Sequence, residues 1–366
     1  MTYFLSNRQG ANAQIADDAV RPMYDHLRAI GPTEKIDLFL YSIGGHTDVP
    51  WRIVTMIREF ASEFNVLVPY KAHSAATMIA LGADEILMGR KGELGPIDPQ
   101  LSVQRSGEGG TQVQEQIAVE DIMSYVRFLR EKVGLSDQAA LVGPISALAE
   151  KLDPKLLGQA NRAHLHIRSV ARKLLTARGK QPAPDEQKIQ VIVDMLAEKT
   201  YQHGHAIGRQ EAQEFGLNVV VAPDDLDNLM WDLFEEYERL SVMRDPIDPF
   251  TFLPKGQEER TERVVLGAIE SLAEAHHFSA DLFMQARRQA PPQLVLNLNF
   301  NLQLPPNIQP QQLPPAAQQV LQQIMQQLQA QAQQLVQQEV LKQMPIVGLE
   351  GRIQDGAWRQ VGWPKP

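Results

Sequence analysis

One hydroxyl stands where a strand pattern gives way to a helical one. In Lys71-Ala-His-Ser-Ala-Ala-Thr-Met-Ile-Ala-Leu-Gly82, Ser74 follows the apolar run Asn65-Val-Leu-Val-Pro-Tyr70, and Ala75, Ala76 and Ala80 leave the backbone open to close approach. Upstream, Tyr41-Ser-Ile-Gly-Gly-His46 follows a second apolar strand pattern. Serine is a weak nucleophile until a base takes its proton and fixed donors hold the charge that develops on the carbonyl oxygen. The spacing offers such donors. If Ser74 opens a helix, the Ala75 N–H faces outward at the positive helix end, and the Gly44-Gly45 turn supplies a second N–H, most simply that of Gly45. The chemistry this points to is acyl transfer. Each feature also has a plain structural reading: Ser74 as a helix N-cap, Gly44-Gly45 as a tight turn, and Asp98, between two prolines, as a turn former.

The elements that must position these residues alternate. Ile36–Tyr41 reads as strand, Val49–Phe64 as helix and Asn65–Tyr70 as strand; a helix starts at Ser74, and Glu85–Gly89 reads as a further strand. Strands joined by helical crossovers pair in parallel. Residues 103–114 are polar and glycine-rich, the composition of a mobile loop or lid. Helical spacing then marks 119–133, 154–178, 186–200 and 224–240.

Beyond Met243 the character changes, so residues 1–242 are expected to form the main domain and 243–366 an extension. Within 293–304, Leu296, Leu298, Phe300, Leu302 and Leu304 alternate with amides, a period-two strand pattern. Residues 316–344 hold 13 glutamines and place Leu321, Ile324, Leu328, Ala332 and Leu335 at helical spacing. No formal charge lies between Arg288 and Glu339. A surface without like-charge repulsion favours association of copies, so this extension is expected to build a homo-oligomer.

Composition narrows the function classes. The 366 residues carry a net charge of −9, with 43% hydrophobic and 22% charged residues. That balance suits a soluble globular chain and argues against a nucleic-acid binder, which needs a basic surface. The absence of cysteine excludes disulfides, thiol nucleophiles and thiolate metal sites, and fits a reducing cytoplasm. No secretory leader or membrane span is read. His203 and His205 form a His-x-His pair without a carboxylate at ligand spacing, so no metal is expected. His164, His166, His276 and His277 read as surface or capping residues. No cofactor is expected, there being no Gly-x-Gly-x-x-Gly after a strand.

The motifs Tyr-Ser-Ile-Gly-Gly, Ala-His-Ser-Ala-Ala-Thr-Met-Ile-Ala-Leu-Gly-Ala-Asp-Glu-Ile and Glu-Leu-Gly-Pro-Ile-Asp-Pro-Gln resemble the serine dehydrogenase proteinase family. That family belongs to the superfamily of the Clp protease proteolytic subunit, signal peptide peptidase A and the crotonases. Glu211-Ala-Gln-Glu-Phe-Gly-Leu217 is similar to a segment of the Clp subunits. The resemblance, which does not reach the C-terminal third, implies an α/β Clp/crotonase-like spiral of ββα units, to which the residue patterns add helices and a C-terminal strand-plus-helix extension. It also implies a ring-forming serine endopeptidase with Ser74 as nucleophile; with the oxyanion hole read above from Gly44, Gly45 and Ala75, the expected substrate is a peptide or unfolded protein.

The base stays open. Where the Clp subunits carry their histidine this chain has Asp98, and where they carry the aspartate it has His203 and His205; an exchanged pair, His203 as base and Asp98 as orienter, is chemically conceivable because a triad is defined by geometry and not by order. A lysine base of the signal-peptidase kind falls on Lys132, which would have to be desolvated. His73 and Lys71 also flank the site. Without a Walker A sequence the chain cannot unfold substrates with ATP, so a separate unfoldase or adaptor is a possible partner. The alternatives are a catalytically idle scaffold on the same fold, or a crotonase-like enzyme acting on acyl thioesters.

Overall fold

In the computed structural model the chain is described except at residues 107–111, 178, 180–183, 200–203, 248–251, 254–256, 290–313 and 363–366. It divides into two compact units: Met1–Ile247, Arg263–Asp281 and Asp355–Pro366 form the first, and Asp248–Glu262 with Leu282–Gln354 the second.

The fold is mixed α/β, as expected. Its strands are β1 (Thr2–Leu5), β2 (Thr33–Tyr41), β3 (Ala61–Val68), β4 (Lys71–Ala72), β5 (Glu85–Met88), β6 (Glu93–Leu94), β7 (Gln100–Ser106), β8 (Gln112–Ala118), β9 (Val219–Val221), β10 (Glu259–Glu270), β11 (Ala275–Arg288) and β12 (Ile346–Val361). The main sheet runs β12-β11-β10-β1-β2-β3-β5-β9, parallel from β1 to β9, with β10 antiparallel on β1. The inner strands are nearly continuous apolar runs because both faces are covered: Leu38, Leu40, Tyr41, Phe64, Val66 and Val68 have no exposed surface. On one side Phe4 stacks on Tyr41 and Tyr237 at centroid distances of 5.1 and 5.0 Å.

The helices of the first unit are α1 (Val20–Ile30), α2 (Val49–Arg58), α3 (Ala75–Leu81), α4 (Val119–Glu131), α5 (Gln138–Lys151), α6 (Pro154–Thr176), α7 (Glu186–Asp194), α8 (Arg209–Glu214) and α9 (Asp224–Leu240). Every residue of α3 is fully buried, the expected fate of a helix that is apolar all round.

Two expectations are corrected. The helix expected over 49–64 ends at Arg58, and Ala61 already pairs with Thr33 as β3 begins. Helical and alternating periods overlap through Phe60-Ala-Ser-Glu-Phe64, and the free edge of β2 decides for the strand. The polar stretch 103–114 is largely a hairpin: β7 pairs antiparallel with β8, Gln100 opposite Ala118 through Ser106 opposite Gln112.

In the second unit, α10 (Pro315–Gln343) matches the glutamine-rich helix, and none of its residues is buried. The strand expected over 293–304 lies outside the described residues. No described helix is long and apolar enough to cross a membrane.

Candidate active site

Ser74 is set by two strands and a helix. Beyond β2, the Ser42 N–H donates to the Lys71 carbonyl and the His73 N–H to the Ser42 carbonyl, so the chain before Ser74 runs beside the chain before Gly44. Thr77 fastens the arrangement from inside α3. Its hydroxyl bonds the Ala72 carbonyl at 2.6 Å and the Gly95 carbonyl at 2.9 Å, and the Gly95 N–H returns a bond at 3.1 Å. One buried side chain thereby ties the Ser74 strand to the turn that carries Asp98.

The conformation at Ser74 is strained. Its φ of 52° lies in the left-handed region, which costs a non-glycine residue roughly 1–3 kcal/mol. The hydroxyl makes no cap hydrogen bond to α3. A serine serving as a plain N-cap adopts extended dihedrals and spends its oxygen on the helix; Ser74 does neither.

The glycine pair is held by a segment that sequence reasoning missed. Ile15 forms a parallel bridge with Gly45: the Ile15 N–H donates to the Gly44 carbonyl at 2.9 Å, and the His46 N–H donates to the Ile15 carbonyl at 2.8 Å. In such a bridge the neighbours' groups face the partner, so the N–H of Gly45 itself faces the opposite edge. The Gly44 N–H is engaged by the Ser42 hydroxyl at 3.0 Å. The Gly45 and Ala75 N–H groups take no partner among the described residues, and that of Ala75 is the first of α3. Glycine is required at both turn positions by contact. A Cβ on Gly44 would stand 2.7 Å from the Ser74 Cβ, and one on Gly45 only 2.2 Å from the Ile15 carbonyl oxygen. No local pattern in Ala11-Asn-Ala-Gln-Ile15 signals this strap.

Ser74, Gly44 and Gly45 open into a cavity of about 720 Å³ that also meets Gln14, His46, Asp48, Asp98 and Gln100. It lies beyond the C-terminal ends of β2 and β3, where open parallel sheets place their ligands. Among the described residues three titratable side chains line it, and of these Asp98 is buried while His46 and Asp48 are exposed. Burial pushes the Asp98 carboxyl up to about 7; the Glu120 N–H, 3.3 Å away, opposes the rise, and the charges of Glu120 and Asp121 add to it. Beside it, burial likewise raises Glu120, which Arg127 holds at 3.0 Å. His164, expected at the surface, is mostly buried between Glu120 and Glu198, and desolvation lowers its pKa.

The other base candidates fall elsewhere. Lys132 caps the C-terminus of α4, exposed and outside the cavity lining, so the burial that a lysine base needs is not found there. His73 Nε2 lies 3.2 Å from a Glu93 carboxylate oxygen, and Lys71 Nζ lies over the Tyr70 ring at 4.9 Å. His205 has the carboxylate partner that its sequence neighbourhood does not reveal: Glu211, 2.9 Å from Nε2. The segment following His205 reaches the site's framework, since Ile207 and Leu94 exchange backbone hydrogen bonds. His203 lies outside the described residues.

Residues 17–124 match the family model of the ClpP-like SDH-type serine proteinases. The match takes in Gly44, Gly45, Ser74, Ala75 and Asp98, so over this stretch the chain is similar to that family. Two uncharacterized proteins of Methanocaldococcus jannaschii are similar to this chain. One is 28% identical over 205 residues and the other 37% identical over 78. These stretches are 56% and 20% of this chain, and the chain spans 60% and 27% of the relatives' own lengths. Among solved structures, two mutants of 1510-N, a membrane-bound stomatin-specific protease, one in complex with a substrate peptide, align over 62% and 66% of this chain. They cover 77% and 84% of theirs, at 15% and 16% identity, with TM-scores of 0.35 and 0.34.

Proposed function

We propose that the chain is a serine endopeptidase that cleaves peptides or unfolded protein segments through an acyl-enzyme on Ser74. The observation that carries this reading is the strained, uncapped Ser74 at the wall of a cavity that Gly45 also lines. In the reaction, the Ser74 hydroxyl oxygen attacks the substrate carbonyl carbon while its proton passes to the Asp98 carboxylate. The oxygen that becomes negative is held by the Gly45 and Ala75 N–H groups; losing one such donor typically costs about 3 kcal/mol of barrier. Asp98 then returns the proton to the departing amine, and water, deprotonated by Asp98, hydrolyses the ester. Gly44 contributes space, its own N–H being engaged by Ser42.

Asp98 is chosen because it is the buried titratable group of the cavity, with a pKa near the working range of a general base. His203 is the rival. The enzyme works as a homo-oligomer in the cytoplasm, on substrates that are already flexible or are opened by a separate unfoldase or adaptor.

The test is labelling with a fluorophosphonate probe together with hydrolysis of an unfolded protein. Wild type is labelled and active, and Ser74→Ala loses both; labelling that survives Ser74→Ala removes the central claim, and an unlabelled, inactive wild type leaves an idle scaffold. Asp98→Asn is expected to abolish hydrolysis. If His203→Ala abolishes it and Asp98→Asn does not, the base is His203.

A further inference from the structure

Away from the Ser74 cavity, three potential ligands meet between α1 and the turn joining β10 to β11. His26, Glu274 and His276 each present a donor atom, and these atoms all lie within 4.8 Å of one another. His26 is fully buried, while Glu274 and His276 are partly buried. The rings face each other nitrogen to nitrogen, His26 Nε2 lying 3.0 Å from His276 Nδ1. Two nitrogens bound tetrahedrally at about 2.0–2.1 Å from zinc stand roughly 3.3 Å apart, so a few tenths of an ångström of opening would admit the ion.

The surroundings already have the form of a metal site's outer support. A ligating imidazole normally has its second nitrogen held by a fixed partner, which orients the ring. His26 Nδ1 lies 2.8 Å from the Ser271 hydroxyl. Ser271 is fixed in turn, its oxygen accepting the N–H groups of Ala273 and Glu274 at 3.2 and 3.3 Å. Strand alternation puts Glu274 and His276 on one face, whereas His277 turns to the other and pairs with Glu270 at 2.9 Å. A cavity of about 360 Å³ opens at Glu274 and His276 and is also lined by Asp25, Arg28 and Gln360; the Asp25 carboxylate is held by Arg21 at 3.0 Å, so the space is left for water as a fourth ligand.

We propose that His26, Glu274 and His276 bind a divalent transition-metal ion, zinc foremost, as a clip between α1 and the β10–β11 turn. Two imidazoles and one carboxylate are a donor set for zinc and its neighbours and a poor one for calcium or magnesium, which require mainly oxygen. The ion closes a contact between residues 250 positions apart and is expected to stabilise the first unit by binding only its folded form.

The test uses the full chain, stripped with a chelator and titrated with Zn(II) by calorimetry, with Co(II) absorption reporting coordination. Wild type is expected to bind one zinc per chain, to show the visible bands of a four-coordinate Co(II) complex, and to melt at higher temperature with zinc than without. Glu274→Gln and His276→Ala should weaken binding by at least 10–100-fold, the loss seen when even an outer partner of a ligand is removed. His205→Ala, which removes the exposed pair with Glu211, should leave binding unchanged. A wild-type chain that takes up no zinc overturns the proposal, as does uptake that is unaltered in both Glu274→Gln and His276→Ala. Uptake lost in His205→Ala would place the ion at the His205–Glu211 pair and equally overturn it.

Discussion

Ser74 and Asp98 are each held in a state that is costly for the residue alone. A serine at positive φ and a carboxyl brought into the protein interior both cost stability, and at functional sites such costs are offset by the surrounding packing. Asp98 carries the pH prediction. Its folded pKa of about 7 lies above the ordinary 3.8, so between these values the native state keeps a proton that the unfolded chain has released. The stability contributed by that proton is complete below about pH 4 and is lost as pH rises through about 7. Activity runs the opposite way, because the carboxylate is the working form. We therefore expect kcat/KM to rise through about pH 7, and Asp98→Asn to lose activity at every pH while no longer losing stability between pH 5 and 8. Peptidase assays and urea titrations at the two ends of that window check both halves. A variant that loses activity and stability together would make Asp98 a structural residue only.

Among the elements, α3 carries the proposed site at its start and has no polar face with which to adjust its position. What fixes its far end is Asp84, 2% exposed and paired with Arg58 at 2.6 Å. Asp84 also accepts the Phe64 and Gly179 N–H groups, each at 2.9 Å, while Arg58 donates to the Gly82 carbonyl at 2.9 Å. This buried pair joins the end of α2, the end of α3 and strand β3. Removing one partner leaves the other charge buried without compensation, so Asp84→Ala should destabilise the protein by about 3–5 kcal/mol. Chemical denaturation measures this, with fluorophosphonate labelling of the remaining folded fraction showing whether the Ser74 site survives. Sequence patterns place these elements well where period and length agree: α9 spans Asp224–Leu240 as expected. They fail at Phe60–Phe64, where a helical and an alternating pattern share the same residues and pairing with β2 decides.

At the scale of the whole molecule, the far C-terminal segment contributes to the main sheet and carries the helix on which the assembly reading rests. β12 belongs to the main sheet, beside β11, so removing residues 289–366 would strip a sheet strand along with the glutamine-rich helix. Assembly is therefore best tested by point changes on α10. Val320, Ile324, Leu328 and Leu335 are 54%, 45%, 41% and 66% exposed, an apolar stripe on a helix with no buried residue. Ile324→Asp with Leu328→Asp should convert the oligomer to single chains in sedimentation while leaving the melting of the first unit unchanged. Single chains for wild type as well would remove the assembly reading.

By itself the sequence determined what short-range chemistry can encode: the strand-to-helix step at Ser74, the glycine pair, the helical stripe of α9 and the α/β alternation around them. Each depends on residues a few positions apart, whose periodicity and steric freedom act wherever the chain lies. Only the tertiary structure decided which N–H groups are left over, since the strap at Ile15 consumes the Gly44 carbonyl and the His46 N–H. It alone buried Asp98 beside Glu120, which raises the pKa of its carboxyl. It alone brought His26 to His276 across 250 residues. Burial and proximity over such separations are properties of packing, and no local pattern carries them.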